Sequence, residues 1–266
     1  MKTWLISSLL FVGACGIAVG QVGGQLPDKQ PSQAAKRDPK VQAMFNQMFS
    51  SYKGLDSLHE KVTFKFDVNV PGMLDEILPV ELELKLQRPN KVALTYTVKN
   101  EKGKLSKYQL VSDGTNLYTY GGDANAYTKD KATAFLPRVP QVLKLPDFDV
   151  LFRNIDPFQN LAIPSESLVV GTPSKVNGTD IDVVSAIFQQ GSQMNASFML
   201  GFGQRDRLVR GMSFSGSGVS GGKPIRFKFD AIYDLVAANV KFADADFAFT
   251  PPAGSKQIES QSTKRN

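Results

Sequence analysis

The chain has 266 residues, 42% of them apolar and 21% charged, with 31 lysines and arginines against 25 acidic residues and a formal net charge of +6. That length can bury a sizeable core, but histidine, cysteine and tryptophan occur once each, at His59, Cys15 and Trp4. A Ser-His-Asp triad or a His-rich metal site is therefore not expected, and without a dense Lys/Arg cluster neither is nucleic-acid binding.

Residues 1–20 have the form of an export signal. Lys2 is the positive start, Trp4 to Val19 is apolar or small, and Ala18-Val19-Gly20 supplies the small residues a signal peptidase requires. Cleavage after Gly20 is the first choice, which removes Lys2 and leaves a formal charge of +5 on the mature chain. A rival is "VGAC" at 12–15, which resembles a bacterial lipobox and would make Cys15 the lipidated first residue. With no cysteine beyond position 15, the fold uses no disulfide. Residues 21–38 are polar and lack apolar periodicity, as a flexible leader would. The end of the chain, 259–266, has the same character and reads as a tail.

Val41, Met44, Phe45, Met48, Phe49 and Tyr52 follow the spacing of an amphipathic helix. Asp38 suits its N-cap, Pro39 its first position and Gly54 its C-cap. Strands follow. Val62, Phe64, Phe66, Val68 and Val70 alternate with polar neighbours, as do Val80, Leu82, Leu84 and Leu86. "KVALTYTV" (91–98) and "YQLVSDGTNLYTYGG" (108–122) continue the series, the latter with Asp113-Gly114 as a hairpin signal. Segments near 180–188, 195–202, 207–214 and 225–234 complete about ten strands, a sheet that would curl or close. Residues 131–164 break the alternation with five prolines, yet carry Phe135, Leu143, Phe148, Leu151, Phe152 and Phe158. Proline forbids central strands, so this stretch is expected to form short helices and turns laid over something apolar.

The chemical motifs have structural explanations. His59 sits at a helix-to-strand junction, and the pairs Asp147/Asp149, Asp180/Asp182 and Asp244/Asp246 lack further ligands nearby. "GSGVSG" (216–221) fits a dinucleotide fingerprint but precedes strand-like sequence, so it is expected to be a hairpin loop. The sequons "NGT" (177–179) and "NAS" (195–197) carry no weight behind a bacterial-type signal. No metal and no cofactor is expected. The surplus is apolar strand face plus an apolar cover, the composition of a container for a greasy ligand.

Three blocks, "QRPNKVALTYT" (87–97), "QLVSDGTNLYTY" (109–120) and "FAFTPPAGSKQI" (247–258), resemble the signature blocks of LolA-type periplasmic lipoprotein carriers. "MFSSYKGLDSLHEKVTFKF" (48–66) resembles their first helix and strand, and 151–184 is similar to an uncharacterised DUF2092-type periplasmic branch. The resemblance spans 39–258. It implies an α+β fold: an incomplete, half-open antiparallel β-barrel of about eleven strands, with helices forming a lid over an apolar cavity. It further implies a non-enzymatic periplasmic protein that holds lipoprotein acyl chains or another lipid, with membrane-bound donor and acceptor proteins as partners. An outer-membrane lipoprotein would result if Cys15 is lipidated, and an envelope sensor or interaction module on the same scaffold is the alternative. The expected cavity lining is Phe64, Phe66, Leu82, Leu84, Leu86, Leu94, Tyr96, Tyr118, Tyr120, Phe135, Leu143, Phe148, Leu151, Phe152 and Phe158, although alternation alone leaves open which sheet face is inside. In such carriers the arginine before "PN" bonds lid carbonyls and holds the empty cavity shut; Arg88 has that place.

Overall fold

The computed structural model describes residues 38–70, 74–99, 104–132, 167–190, 194–220 and 222–260. The export segment with Cys15, the leader, and all of the expected cover except Lys131 and Ala132 lie outside those residues, as does Asp147/Asp149.

The helix forms where the apolar stripe predicts it. Helix α1, Pro39–Lys53, begins at Asp38, whose carboxylate accepts the Lys40 amide at 2.7 Å. It ends at Gly54, whose N–H reaches the Ser50 and Ser51 carbonyls. Val41, Phe45, Met48 and Tyr52 are buried along its length. Full burial is worth about 1.5–3 kcal/mol for each large apolar side chain, so packing, not propensity, holds a helix this short.

Among the described residues, thirteen strands form one sheet. They are β1 Ser57–Val70, β2 Leu74–Gln87, β3 Lys91–Lys99, β4 Leu105–Asp113, β5 Asn116–Gly121, β6 Ala126–Lys131, β7 Leu168–Val170, β8 Ser174–Val176, β9 Thr179–Gln190, β10 Met194–Gly203, β11 Val209–Ser220, β12 Lys223–Ala238 and β13 Lys256–Gln257. Their order is β13-β6-β5-β4-β3-β2-β1-β12-β11-β10-β9-β7, with β8 also on β9. Neighbours are antiparallel except β13, which lies parallel to β6. Among the described residues the two ends of the order do not pair, so the sheet is open there. The about ten strands read from alternation become thirteen among the described residues because β7, β8 and β13 are too short to show alternation. A lid of several helices is not part of the described fold: α1 is the one α-helix among the described residues.

Alternation sorts the sheet into two faces. Leu58, Val62 and Phe64 of β1, Val80 to Leu86 of β2, and Val92, Leu94 and Tyr96 of β3 join α1 in one core, with Phe198, Phe202, Phe229, Ala231 and Tyr233 from the other side. The opposite, outer face is crossed by the C-terminal segment, where a short 3-10 turn at Asp244–Phe247 buries Phe247. "GSGVSG" is not a hairpin loop as expected: its first five residues extend β11. Gly216 is required there, since a Cβ would stand 2.4 Å from the Phe227 ring.

Two irregularities break the alternation. The β1–β12 register shifts at Lys61/Val62, where Lys61 faces Leu235 and Val62 faces Tyr233, leaving Asp234 extra. The β10–β11 register shifts at Gly201/Phe202, leaving Arg210 extra. Such bulges re-aim side chains, and both adjoin the site described next.

Candidate ligand-binding face

The core face divides along the strands. Over its first end lies α1, and beyond α1 the sheet carries a run of phenylalanines. Phe64 stacks on Phe229 at 5.6 Å between ring centres, and Phe66 meets Phe229 at 5.0 Å. Phe214 sits opposite Phe229 in register and contacts Phe227 at 5.4 Å and Phe188 at 6.5 Å. Phe64 is fully buried, whereas Phe66, Phe214 and Phe227 are half-buried. Strand alternation assembles this trough because each ring comes from a position facing the same way on β1, β9, β11 or β12.

Arg88, following β2, holds the end of α1. Its Nε donates to the Leu55 carbonyl at 2.7 Å, and an Nη donates to those of Tyr52 and Lys53 at 3.4 and 3.5 Å. The last carbonyls of a helix lack partners and carry negative dipole, so a guanidinium suits this place. Arg88 thus bonds carbonyls at and just after the end of α1, whereas the expected cover at 133–164 lies outside the described residues.

Under α1 lies a polar cluster that sequence analysis missed. Glu60, on the core face of β1, is 3% exposed. The Tyr52 hydroxyl donates to it at 3.4 Å and accepts the Val209 amide at 3.1 Å. Arg210 is also buried, and its guanidinium bonds Asp206 and the carbonyls of Leu208 and Val209. Burial raises the Glu60 carboxyl to about 8, against smaller opposing effects of the Tyr52 bond and the Arg210 charge. Burial, then the nearby Glu60, also drives Tyr52 and Tyr233 upward. A signal existed: Glu60 is the one acidic residue on the Leu58, Val62, Phe64 face.

Of the expected lining residues, Phe64, Phe66, Leu82, Leu84, Leu86, Leu94 and Tyr96 share the core face. Tyr96 stacks on Tyr108 at 4.9 Å, and Tyr108 donates to Asp123 at 2.5 Å. Tyr118 and Tyr120 do not belong with them. Tyr118 pairs with Val111 and Tyr120 with Gln109, so both point to the outer face. There Tyr118 stacks on Phe249 at 4.9 Å, and Tyr120 donates to Asn125 at 3.1 Å. The physical reason is register: Leu110, the core residue of β4, faces Thr119. Phe135, Leu143, Phe148, Leu151, Phe152 and Phe158 lie outside the described residues.

The outer face is polar. His59 meets Glu83 at 2.8 Å, Lys85 meets Asp246 at 2.7 Å, and Lys91 meets Asp244 at 2.7 Å. At the start of β9, Asp182, which stands opposite Phe202 on the core-face side, pairs with Arg207, and Asp180 pairs with Lys175. Each of these aspartate pairs is therefore tied to cations, and among the described residues no group of three His, Cys, Asp or Glu side chains could hold a metal. A groove of about 640 Å³ also lies against the outer face, lined by short polar side chains such as Asn195, Ser197, Ser215 and Ser217 beside Arg226 and Lys228.

No protein-family model matches the chain, so its placement in a DUF2092-type branch is unsupported, and no curated protein matches it either. Among solved structures it is similar to LprF from Mycobacterium bovis, at 12% identity and a TM-score of 0.43, over 83% of this chain and 100% of that one. It is similar to the MucA/MucB complex structure of Pseudomonas aeruginosa at 13% identity and a TM-score of 0.42, over 79% of this chain and 61% of that one. A LolA superfamily protein, NE2245 from Nitrosomonas europaea, matches at 10% identity and a TM-score of 0.27, over 81% of this chain and 99% of that one.

Proposed function

We propose that this protein is a non-enzymatic, exported binding protein that holds an acyl chain of a lipid or lipoprotein against the core face of its sheet. The observation that supports this reading is the phenylalanine run that continues from the fully buried Phe64 to the half-buried Phe66, Phe214 and Phe227. Each methylene taken from water onto such a surface contributes about 0.8 kcal/mol. The rings offer area without hydrogen-bond partners, which suits a chain lacking polar groups of its own. Arg88 gives the site a closed form, because its bonds to the end of α1 keep that helix on the sheet. Export by the Gly20 route would yield a diffusing carrier, and lipidation at Cys15 an anchored receptor; intact mass of the mature protein separates the two.

Titration with a fluorescent fatty-acyl lipopeptide tests the binding site. Phe66→Asp and, at a second half-buried ring, Phe227→Ser should each weaken binding at least about tenfold, the equivalent of 1.4 kcal/mol. Tyr118→Asp, on the outer face, should leave it unchanged. Absence of binding by the wild-type chain overturns the reading, as does equal loss in all three variants. Recovery from cell envelopes with one protein partner and no lipid would favour an envelope sensor on the same scaffold.

A further inference from the structure

The Glu60 cluster occupies the interface between α1 and the sheet and has no part in the binding reading above. Tyr52 projects from α1 and bridges two partners, the Glu60 carboxyl on β1 and the Val209 amide on β11. The bulges at Arg210 and at Asp234 flank this contact on the neighbouring strands. A buried carboxyl with a single long bond to a tyrosine is tolerable when protonated and costly when ionised. Arg210 would be the natural counter-ion, but its guanidinium is committed to Asp206 and two carbonyls. Among the described residues no other element supplies a replacement: β2 places Leu84 opposite Glu60, and β12 places Val236 there and Tyr233 nearby.

We propose that Glu60 is a proton-controlled lock on α1: protonated it keeps the helix docked over the core face, and ionised it releases the helix and opens that face. The inference concerns regulation of the binding face proposed above, and it assigns α1 as the moving element. The direction follows from proton counting. In the docked form the carboxyl holds its proton to about 8, and once α1 lifts and water enters it returns toward 4.5. Between those values the undocked form binds fewer protons, so docking weakens as pH rises, by up to about tenfold per pH unit, and levels off above about 8. Acid closes the face and neutral to mildly alkaline conditions loosen it. Tyr52 and Tyr233, which face Glu60, are both driven upward, away from that window.

The test needs no ligand, so it stands apart from the binding reading. Spin labels at Gln47→Cys on α1 and Lys61→Cys on β1, in the full chain carrying Cys15→Ser, report the helix–sheet distance by dipolar spectroscopy. Both labelled positions are exposed. From pH 5 to 8 the long-distance population should grow with the expected slope while the sheet signal in circular dichroism is unchanged. Glu60→Gln should abolish the slope, as should Glu60→Leu if the amide disturbs folding. His59→Gln, on the outer face, should keep it. A distance distribution that does not move with pH in the wild type overturns the proposal, as does a slope that survives in both Glu60 variants.

Discussion

The two faces of the sheet use the same kinds of charged residue under opposite conditions. On the outer face Lys85, Lys91, Asp244 and Asp246 pair in contact with solvent. On the core face Arg88 and Glu60 lie against α1, where the Tyr52–Glu60 bond is buried and the Arg88–Leu55 bond half-buried. The difference teaches that position, not charge type, decides what a polar group can do. Outside, water competes for both partners and an ion pair is worth little. Inside, a carboxyl or guanidinium either holds an element in place or must be neutralised.

The largest effect that would sharpen this contrast is loss of packing under α1. Phe45→Ala, at a fully buried helix position, should cost about 3–5 kcal/mol in denaturant unfolding. A cost under about 1 kcal/mol would mean that α1 is not part of the cooperative core.

Arg88→Leu comes next. Charged hydrogen bonds are worth about 1.5–3 kcal/mol, and the closing role proposed for Arg88 has its bonds made only while α1 is docked. The empty, closed form should lose that bias, so the acyl lipopeptide should be held about 10- to 150-fold more tightly and leave more slowly. Release at the wild-type rate would show that the Arg88 contact does not control opening.

A smaller effect is expected at the β4–β5 turn. The Asp113 carboxylate accepts the amides of Thr115 and Asn116 at 2.7 Å each, while Gly114 takes a φ of +96°. Slight burial works against ionisation, but the amide bonds outweigh it and hold the carboxyl below 3.8. Because the folded value is depressed, its stabilisation is present above the ordinary carboxyl range and fades as pH falls through it. Asp113→Ala should cost about 1 kcal/mol at neutral pH, a gap that closes only below about pH 4. A gap that persists at pH 2 would assign the effect to turn geometry instead.

The smallest change belongs to the outer face. Asp244 bonds Lys91, which holds its carboxyl below the ordinary range, yet its side chain is 97% exposed. Asp244→Ala should leave the unfolding midpoint within error of wild type, and about 1 M salt should erase any residue of an effect. A clear, salt-resistant loss would break the proposed contrast between the two faces.

Local order was legible in the chain itself. The spacing of Val41, Met44, Phe45 and Met48 and the caps at Asp38 and Gly54 specify α1, since helix periodicity and capping depend on near neighbours. Alternation from Val62 to Phe66 and from Val80 to Leu86 specifies β1 and β2 for the same reason. Tertiary structure decided what alternation cannot express. Register across β4 and β5 turned Tyr118 and Tyr120 outward, because a strand's pattern names two faces without saying which is covered. Two bulges, at Arg210 and Asp234, shifted the pairing beside Glu60 through contacts far apart in sequence. Glu60 became a buried carboxyl only when α1 closed over it, since desolvation belongs to the surroundings of a group and not to the group.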